Sequence, residues 1–230
     1  EIEYLINPLN KKLTEDDLLK IASDFDVIIA GTEHISRKVI EKSSHLKLIS
    51  RVGIGLDSVD LLAAKDRGIK VSYTPDAPSP AVAELTIALV LSLLRHVQLS
   101  NLGMKSGVWH RYFGKRICDS VVGVIGIGRI GSLVISHLLN LGCKKILIND
   151  IDVGVLEKFR SESAEWCNKD EIYKYADVIS LHVPLTSTTL NMIAEKELEN
   201  MKPGACLVNT SRGGIVNEKD LESVLRTGHL

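Results

Sequence analysis

Apolar and polar residues follow two periods along the chain, one typical of strands and one typical of helices. Short apolar runs rich in β-branched residues, each bounded by turn residues, predict strands. Segments with apolar residues three to four positions apart lie between these runs and predict helices. The predicted strands are residues 26–31, 46–50, 69–73, 121–126, 145–150, 177–183 and 205–210, with an earlier one over Ile2–Ile6. The predicted helices are residues 15–22, 60–67, 81–97, 130–141 and 217–226.

The order of these elements indicates an α/β fold with two parallel sheets. Strands that alternate with helices favour parallel sheets covered by helices on both faces. The turn-rich "TPDAPSP" (74–80), the apolar helix 81–97 and the irregular stretch 102–116 separate the two groups of strands. We therefore expect two domains, residues 1–97 and 98–230.

Composition excludes several classes of protein. The 230 residues are 45% hydrophobic and 25% charged, which is typical of a globular protein with a sizeable core. The net charge is -1 and basic residues are interspersed with acids, so we expect no nucleic-acid partner. The longest apolar stretch, Ala81–Leu94, contains Glu84 and is too short for a hydrocarbon core of about 30 Å, so we expect no membrane partner.

The cysteines indicate neither a disulfide framework nor a metal site. Cys118, Cys143, Cys167 and Cys206 are scattered without a C-x-x-C pair. They are typical of reduced, small hydrophobic residues, so we expect no metal. With no predicted signal peptide and no membrane-spanning stretch, we expect a cytoplasmic protein.

The strongest motif opens the second predicted sheet. The stretch "VVGVIGIGRIG" places Gly126, Gly128 and Gly131 in G-x-G-x-x-G spacing between a predicted strand and a predicted helix. In this context the first glycine permits a tight turn, the second lets the backbone approach a pyrophosphate, and the third lets the helix pack on the sheet. The positive end of that helix attracts phosphates. The stretch predicts a dinucleotide-binding turn, the alternative being an ordinary strand-to-helix turn.

An acid at the end of the next predicted strand narrows the choice of cofactor. Asp150 closes "KILIND", about 20 residues beyond the glycine turn. Its carboxylate would accept hydrogen bonds from the adenosine ribose and repel a 2′-phosphate, which favours NAD over NADP. A methyltransferase can also combine a glycine-rich turn with a ribose-binding acid, so these residues identify a nucleotide-binding fold before they identify a reaction.

Longer motifs together cover essentially the whole chain: "LKLISRVGIGLDSVDLLAAKDRGIKV", "AVAEL", "GVIGIGRIG", "LHVPLTSTTLNMI" and "MKPGACLVNTSRGGIVNEKDL". These motifs resemble those of the D-isomer-specific 2-hydroxyacid dehydrogenases, the family that includes phosphoglycerate dehydrogenase. The resemblance implies a flavodoxin-like substrate domain and a Rossmann NAD-binding domain, each a doubly wound parallel sheet and each incomplete at a chain end. It also implies an NAD-dependent oxidoreductase that interconverts a D-2-hydroxy acid and its 2-oxo acid.

The resemblance implies a role for an arginine at the end of a predicted strand, for which a structural salt bridge to a neighbouring acid is the alternative. Arg212 lies in "SRGG", between an apolar run and a predicted helix. By the resemblance it is the catalytic arginine and binds the substrate carboxylate and keto oxygen, a task that suits a planar, permanently charged guanidinium. The "RVGIG" loop is expected to add Val52, Gly53 and Ile54 as substrate-binding residues, with backbone N–H groups facing the anion. A plain turn is the alternative for this loop.

The resemblance also assigns further residues to the cofactor. Arg129 and Ile130 would approach the pyrophosphate, Val183 and Pro184 the nicotinamide ribose, and Thr210 and Ser211 the nicotinamide ring. His182 would line the cofactor rather than act as a catalytic acid. The expected cofactor-binding set is Ile54, Gly126, Gly128, Arg129, Ile130, Gly131, Asp150, His182, Val183, Pro184, Thr210, Ser211 and Arg212.

Other properties are expected from the same comparison. The helix 81–97 is apolar on more than one face, which predicts a homodimer in line with the family. The family's acid histidine and its glutamate partner would lie beyond Leu230, so we expect a fragment with weak or no activity of its own. The substrate is open, although Gly31, Thr32 and Glu33 replace the R-S-x-T loop of phosphoglycerate dehydrogenases. The alternative function is an NAD-sensing, corepressor-like binding protein of the same fold.

Overall fold

The chain forms two compact units that divide between Pro78 and Ser79. The computed structural model describes residues 2–159 and 163–230. Each unit has its own parallel sheet. The division falls before the apolar helix and not near residue 97, the boundary expected from the sequence.

The first unit is a three-stranded parallel sheet with helices between its strands. Its strands are β1 (Val27–Ala30), β2 (Leu48–Arg51) and β3 (Lys70–Tyr73), paired in that order. Its helices are α1 (Glu15–Ile21), α2 (Arg37–Lys42) and α3 (Leu61–Asp66), with a 3-10 turn at Ala22–Asp24. One apolar cluster joins sheet and helices, and it includes Leu18, Val39, Ile40, Ile49 and Ala63.

Polar side chains fix where these helices begin. The Thr14 hydroxyl accepts the N–H of Asp17, and the Asp17 carboxylate accepts the N–H of Thr14, a reciprocal capping box. Ser36 and Asp60 cap α2 and α3 by accepting the third N–H group of each helix.

Two expectations for the first unit are corrected. The predicted strand Ile2–Ile6 has no strand structure, and its apolar side chains are exposed. An apolar run becomes a strand only where another strand supplies hydrogen-bond partners. The strand order β1-β2-β3 does not reverse within residues 2–78, so this part of the chain is not doubly wound.

The second unit is a five-stranded parallel sheet with helices on both faces. Its strands are β4 (Val121–Ile125), β5 (Lys145–Asn149), β6 (Ala164–Trp166), β7 (Val178–Leu181) and β8 (Cys206–Asn209). The helices are α4 (Ser79–Leu94), α5 (Val97–Lys105), α6 (Arg129–Asn140), α7 (Val153–Leu156), α8 (Lys169–Tyr175), α9 (Glu195–Glu199) and α10 (Glu218–Thr227), with 3-10 turns at Ile117–Asp119 and Glu157–Phe159.

The strand order of this sheet is β6-β5-β4-β7-β8, which reverses direction between β4 and β7. One apolar cluster contains residues of α4 and α6, and a second contains residues of α8, α9 and α10. A parallel sheet that reverses in this way and is covered on both faces is a doubly wound Rossmann-type fold. The predicted Rossmann domain is confirmed.

Helix α4 belongs to the second unit because of what its buried face contacts. The buried positions recur every three to four residues and form a stripe: Ser79, Ala83, Thr86, Val90 and Leu94. Ala83, Val90 and Leu94 share an apolar cluster with Val134 and Leu138 of α6. The local pattern predicted the helix, but its partner lies far along the chain.

The predicted helix 81–97 ends earlier than expected. His96 adopts a left-handed backbone conformation with φ 52° and ψ 36°, and α5 begins after it.

Among the described residues no single helix has the length and hydropathy to cross a membrane; α4 and α5 reach those values only as a pair bent by 67°.

Candidate dinucleotide site

Four loops of the second unit meet at the carboxyl edge of its sheet. They follow β4, β5, β7 and β8, and because these strands are parallel their loops emerge on the same side. The strand order reverses between β4 and β7, which opens a crevice where α/β proteins bind ligands. The predicted cofactor residues of this unit are all in these loops or in the first turn of α6.

Gly126 and Gly131 are required by the packing of the protein itself. Gly126 has a positive φ of 93°, and a Cβ there would lie 2.6 Å from the carbonyl oxygen of His182. A Cβ on Gly131 would lie 2.0 Å from the carbonyl oxygen of Gly126. These glycines let α6 begin directly against the turn after β4.

Gly128 has different surroundings. A Cβ there would meet no atom of the described residues within 4 Å, and the backbone φ of -71° suits any residue. The space over this residue is therefore open. Gly128 is also the N-cap of the twelve-residue α6, without a side-chain cap, so the positive helix end faces that space. Exposed Arg129 and half-buried Ile130 form the first turn beyond it.

Asp150 lies beside the glycine turn and is held by two backbone groups. Its Oδ2 accepts the N–H of Ile127 at 2.6 Å, and its Oδ1 accepts the N–H of Asp152 at 2.9 Å. Each carboxylate oxygen keeps a further lone pair, so the half-buried group can accept two ribose hydroxyls without giving up these bonds. The geometry suits a ribose next to the turn.

His182 follows β7 and braces the glycine turn. Its N–H donates to the carbonyl of Ile125 at 2.8 Å, and its Nε2 lies 2.8 Å from the hydroxyl of the fully buried Ser180. Burial lowers the pKa of His182 to about 4. The imidazole is therefore neutral at pH 7. Val183 and Pro184 continue the loop, the first half-buried and the second exposed.

The turn that carries Arg212 is organised by Asn209. The Asn209 Oδ1 accepts both the N–H and the hydroxyl of Ser211, at 3.0 Å and 2.7 Å, and its Nδ2 donates to the carbonyl of Arg212 at 2.8 Å. The guanidinium of half-buried Arg212 donates to the carbonyl of Ser211 at 2.8 Å. The arginine therefore sits on a turn whose backbone is fixed by its own residues.

A second anchor reaches this turn from α4. The hydroxyl of Thr86, on the buried face of the helix, lies 2.8 Å from the hydroxyl of Thr210. Sequence analysis did not find Thr86, Ser180 or Asn209. Asn209 had a signal, because asparagine at a strand end commonly accepts the N–H two residues ahead. Thr86 had none, since 124 residues separate it from its partner.

In the first unit, the "RVGIG" loop departs from expectation. The N–H of Gly53, expected to face an anion, donates to the hydroxyl of Thr74 at 2.8 Å, and the N–H of Val52 donates to the carbonyl of Ala30 at 2.8 Å. Half-buried Ile54 follows, and its N–H has no hydrogen-bond partner among the described residues. Only the later part of the loop can offer N–H groups to a ligand.

Metal chemistry has no apparent site in this part of the chain. Within residues 2–159 and 163–230, no group of three or more His, Cys, Asp or Glu side chains could hold a metal ion.

Comparison with known proteins identifies the class and then the family. Residues 87–230 match the D-isomer specific 2-hydroxyacid dehydrogenase NAD-binding domain. The chain is 36% identical to the hydroxypyruvate reductase of Thermotoga maritima, over 95% of this chain and 71% of the relative. It is 39% identical to the D-3-phosphoglycerate dehydrogenase of Methanocaldococcus jannaschii, over 95% of this chain but 42% of that relative.

A solved structure gives the same result. The D-lactate dehydrogenase of Aquifex aeolicus, complexed with NAD and lactic acid, superposes with a TM-score of 0.83 at 29% identity, over 94% of this chain and 66% of that one. The second unit is thus an NAD-binding Rossmann domain. The chain belongs to the D-isomer specific 2-hydroxyacid dehydrogenase family. The relatives named here are all oxidoreductases, so the corepressor alternative gains no support.

Proposed function

We propose that the protein carrying this chain interconverts a D-2-hydroxy acid and its 2-oxo acid with NAD as cofactor. The observation that supports this most directly is the carboxyl edge of the second sheet. There the open Gly128 turn, the Asp150 carboxylate and the Arg212 turn all follow strands of one sheet. The first unit is proposed to be the substrate domain, of which this chain holds three strands.

The residues present suit each part of NAD. Gly126, Gly128 and Gly131, with Arg129 and Ile130, would hold the pyrophosphate at the helix end, and Asp150 the adenosine ribose. The nicotinamide half would contact Val183, Pro184, Thr210 and Ser211. His182, whose imidazole is neutral, would line the cofactor and support the glycine turn through its hydrogen bond to Ile125. When bound, NAD supplies the ring carbon that gains or gives up the hydride.

Arg212 would hold the organic acid. Its guanidinium can donate two parallel hydrogen bonds to a carboxylate, or divide them between a carboxylate and a keto oxygen. The second case also stabilises negative charge that develops on the keto oxygen during reduction. In the first unit, the N–H groups of Val52 and Gly53 already donate to Ala30 and Thr74, so we propose that these two residues contribute to substrate binding by contact only. Ile54 would contribute its available N–H.

The first unit also bears on which acid is bound. The Glu33 carboxylate accepts the N–H of Gly31 at 2.6 Å, at the carboxyl end of β1. This acid occupies a backbone group that could otherwise bind an anion, and its charge repels a dianion. We therefore propose an unphosphorylated 2-oxo acid, in keeping with the relative named hydroxypyruvate reductase rather than the one named D-3-phosphoglycerate dehydrogenase.

A homodimer in the cytoplasm is proposed as well. Apolar side chains on α4, on α5 and in the following loop remain exposed, among them Leu89, Leu93, Leu102, Trp109 and Phe113. Phe113 is 96% exposed, and this many exposed apolar side chains in neighbouring segments favour an interface. The four cysteines are unpaired, which suits a reducing compartment.

The test of the assignment is Arg212→Ala in the protein that carries this chain. Loss of the guanidinium should lower kcat/KM for the 2-oxo acid roughly a hundredfold, which corresponds to a loss of about 3 kcal/mol of transition-state stabilisation. NADH affinity should stay nearly unchanged, because the Arg212 guanidinium is assigned to the substrate and only its backbone would line the cofactor. Arg212→Lys keeps the charge but not the two parallel N–H donors of the guanidinium, so its kcat/KM should lie between those of the unmodified protein and Arg212→Ala. If Arg212→Ala abolishes NADH binding, the residue is misassigned.

A further inference from the structure

A buried hydroxyl on α4 determines where the hydroxyl proton of Thr210 points. The Thr86 hydroxyl donates to the carbonyl of Val82, one turn earlier in the helix, at 2.8 Å. The same oxygen lies 2.8 Å from the Thr210 oxygen. A hydroxyl has one proton but two lone pairs. Because the Thr86 proton points to Val82, the proton between the two threonines comes from Thr210.

The neighbouring Ser211 is in the same state. Its hydroxyl donates to the Asn209 Oδ1 at 2.7 Å, and Asn209 is oriented by its own amide bond to the carbonyl of Arg212. The protons of both hydroxyls are therefore directed into the protein. Toward a ligand, the hydroxyls of the half-buried Thr210 and Ser211 therefore offer only lone pairs.

We propose that Thr86 is a positioning residue that makes Thr210 an acceptor for the carboxamide N–H₂ of the nicotinamide, so that the site rejects a carboxylate in its place. The inference rests on the proposed function, which assigns Thr210 and Ser211 to the nicotinamide half of NAD. A primary carboxamide brings two N–H donors, whereas a carboxylate brings none. Carboxylate oxygens would face hydroxyl lone pairs with no proton between them, an unfavourable contact in a partly buried site.

The test compares NAD with the analogue in which a carboxylate replaces the carboxamide. We expect the unmodified chain to bind NAD more tightly, measured by isothermal titration at pH 7. In Thr86→Val the Thr210 proton is released and can rotate toward the ligand, so the analogue should bind better. The ratio of the two Kd values should narrow about tenfold, since 1.4 kcal/mol corresponds to one order of magnitude.

The matched control is Thr86→Ser, which keeps both hydrogen bonds of the hydroxyl and should keep the ratio. A purely structural role for Thr86 would weaken both ligands equally in Thr86→Val, and that result would overturn the proposal. If circular dichroism shows that Thr86→Val does not fold, Thr210→Val decides. Thr210→Val removes the hydroxyl oxygen that would accept the carboxamide N–H₂, so NAD should bind more weakly and the ratio of the Kd values for the analogue and NAD should narrow. An unchanged ratio would overturn the proposal.

Failure of the inference and failure of the proposed function can be told apart. If the unmodified chain binds neither NAD nor the analogue, the proposed function fails and the inference falls with it. If NAD binds and the ratio is the same in Thr86→Val, only the role of Thr86 is refuted.

Discussion

At the scale of single residues, the glycines of the turn after β4 have two different functions. Gly126 and Gly131 are needed for the backbone of the turn and for the approach of α6. At Gly128 a Cβ would meet no described atom within 4 Å, so the packing of the protein does not require a glycine there. A glycine that the protein's own packing does not require is evidence for a ligand that approaches the backbone there.

This difference gives opposite expectations for two alanine variants. Gly131→Ala places a Cβ against the carbonyl of Gly126 and should lower the free energy of unfolding by about 1 to 3 kcal/mol, with loss of NADH binding. Gly128→Ala should leave the free energy of unfolding within about 0.5 kcal/mol, yet weaken NADH binding. Urea denaturation and NADH titration measure the two effects. Unchanged NADH affinity in Gly128→Ala would contradict a cofactor at that position.

From the sequence alone, only the locally encoded part of the proposed site could be predicted. Gly126, Gly128, Gly131 and Asp150 could be proposed because spacing and element order carry their signal. The second anchor of the Arg212 turn could not, because Thr86 is an ordinary residue in an apolar helix until the fold brings it to Thr210. The bond from Gly53 to Thr74, which joins separate loops, was hidden for the same reason.

At the scale of elements, Asp177 ties together three segments around the start of β7. Its carboxylate accepts from Lys115 and from Lys202 at 2.6 Å, and from the N–H of Val121 at 2.8 Å. Burial alone would raise the pKa of Asp177, but these three donors together lower it below its usual value of 3.8. The Asp177 side chain is 11% exposed, whereas the side chains of Lys115 and Lys202 are 42% and 45% exposed, so the carboxylate is shielded from solvent and the two ammonium groups are not.

We expect Asp177→Asn to lower the free energy of unfolding by about 1 to 3 kcal/mol at pH 7. The exposed pair of Asp26 and Lys47 provides the control, and Asp26→Asn should lower the free energy of unfolding far less than Asp177→Asn does, because solvent screens this pair. Because the folded pKa of Asp177 is depressed, its contribution is present above pH 3.8 and is lost as pH falls through the lower folded value. Equal losses for the two variants in urea denaturation would refute the role of Asp177.

At the scale of elements, strands and helices with a long apolar pattern could be predicted from the sequence. Elements that are short, or that form only through contacts with distant parts of the chain, could not. Seven predicted strands were found close to their expected bounds. Strand β6 has three residues and helix α9 has five, so the periodicity over each is too brief to detect. The strand predicted at Ile2–Ile6 was wrong because no strand of the described residues pairs with this apolar run.

At the scale of the whole molecule, the exposed apolar surface of α4 and α5 predicts self-association. Leu102→Glu on α5 places a charge in this surface and should shift the protein from dimer to monomer in sedimentation velocity. Leu225→Glu on α10 is the matched control, since Leu225 is 52% exposed and Leu102 is 53% exposed. We expect the control to leave the sedimentation coefficient unchanged. A monomeric unmodified protein at micromolar concentration would contradict the proposed homodimer.

The central claim is that a dinucleotide binds along the turn from Gly126 to Gly131 with its adenosine ribose at Asp150. The most direct measurement is titration of the chain with NADH and with NADPH, for the unmodified protein and for Asp150→Asn. The variant keeps an oxygen for the N–H of Ile127 but loses the charge that repels a 2′-phosphate. We predict that NADH binds at least about tenfold more tightly than NADPH and that Asp150→Asn narrows this difference. Absence of NADH binding, or a preference that Asp150→Asn leaves unchanged, would contradict the account.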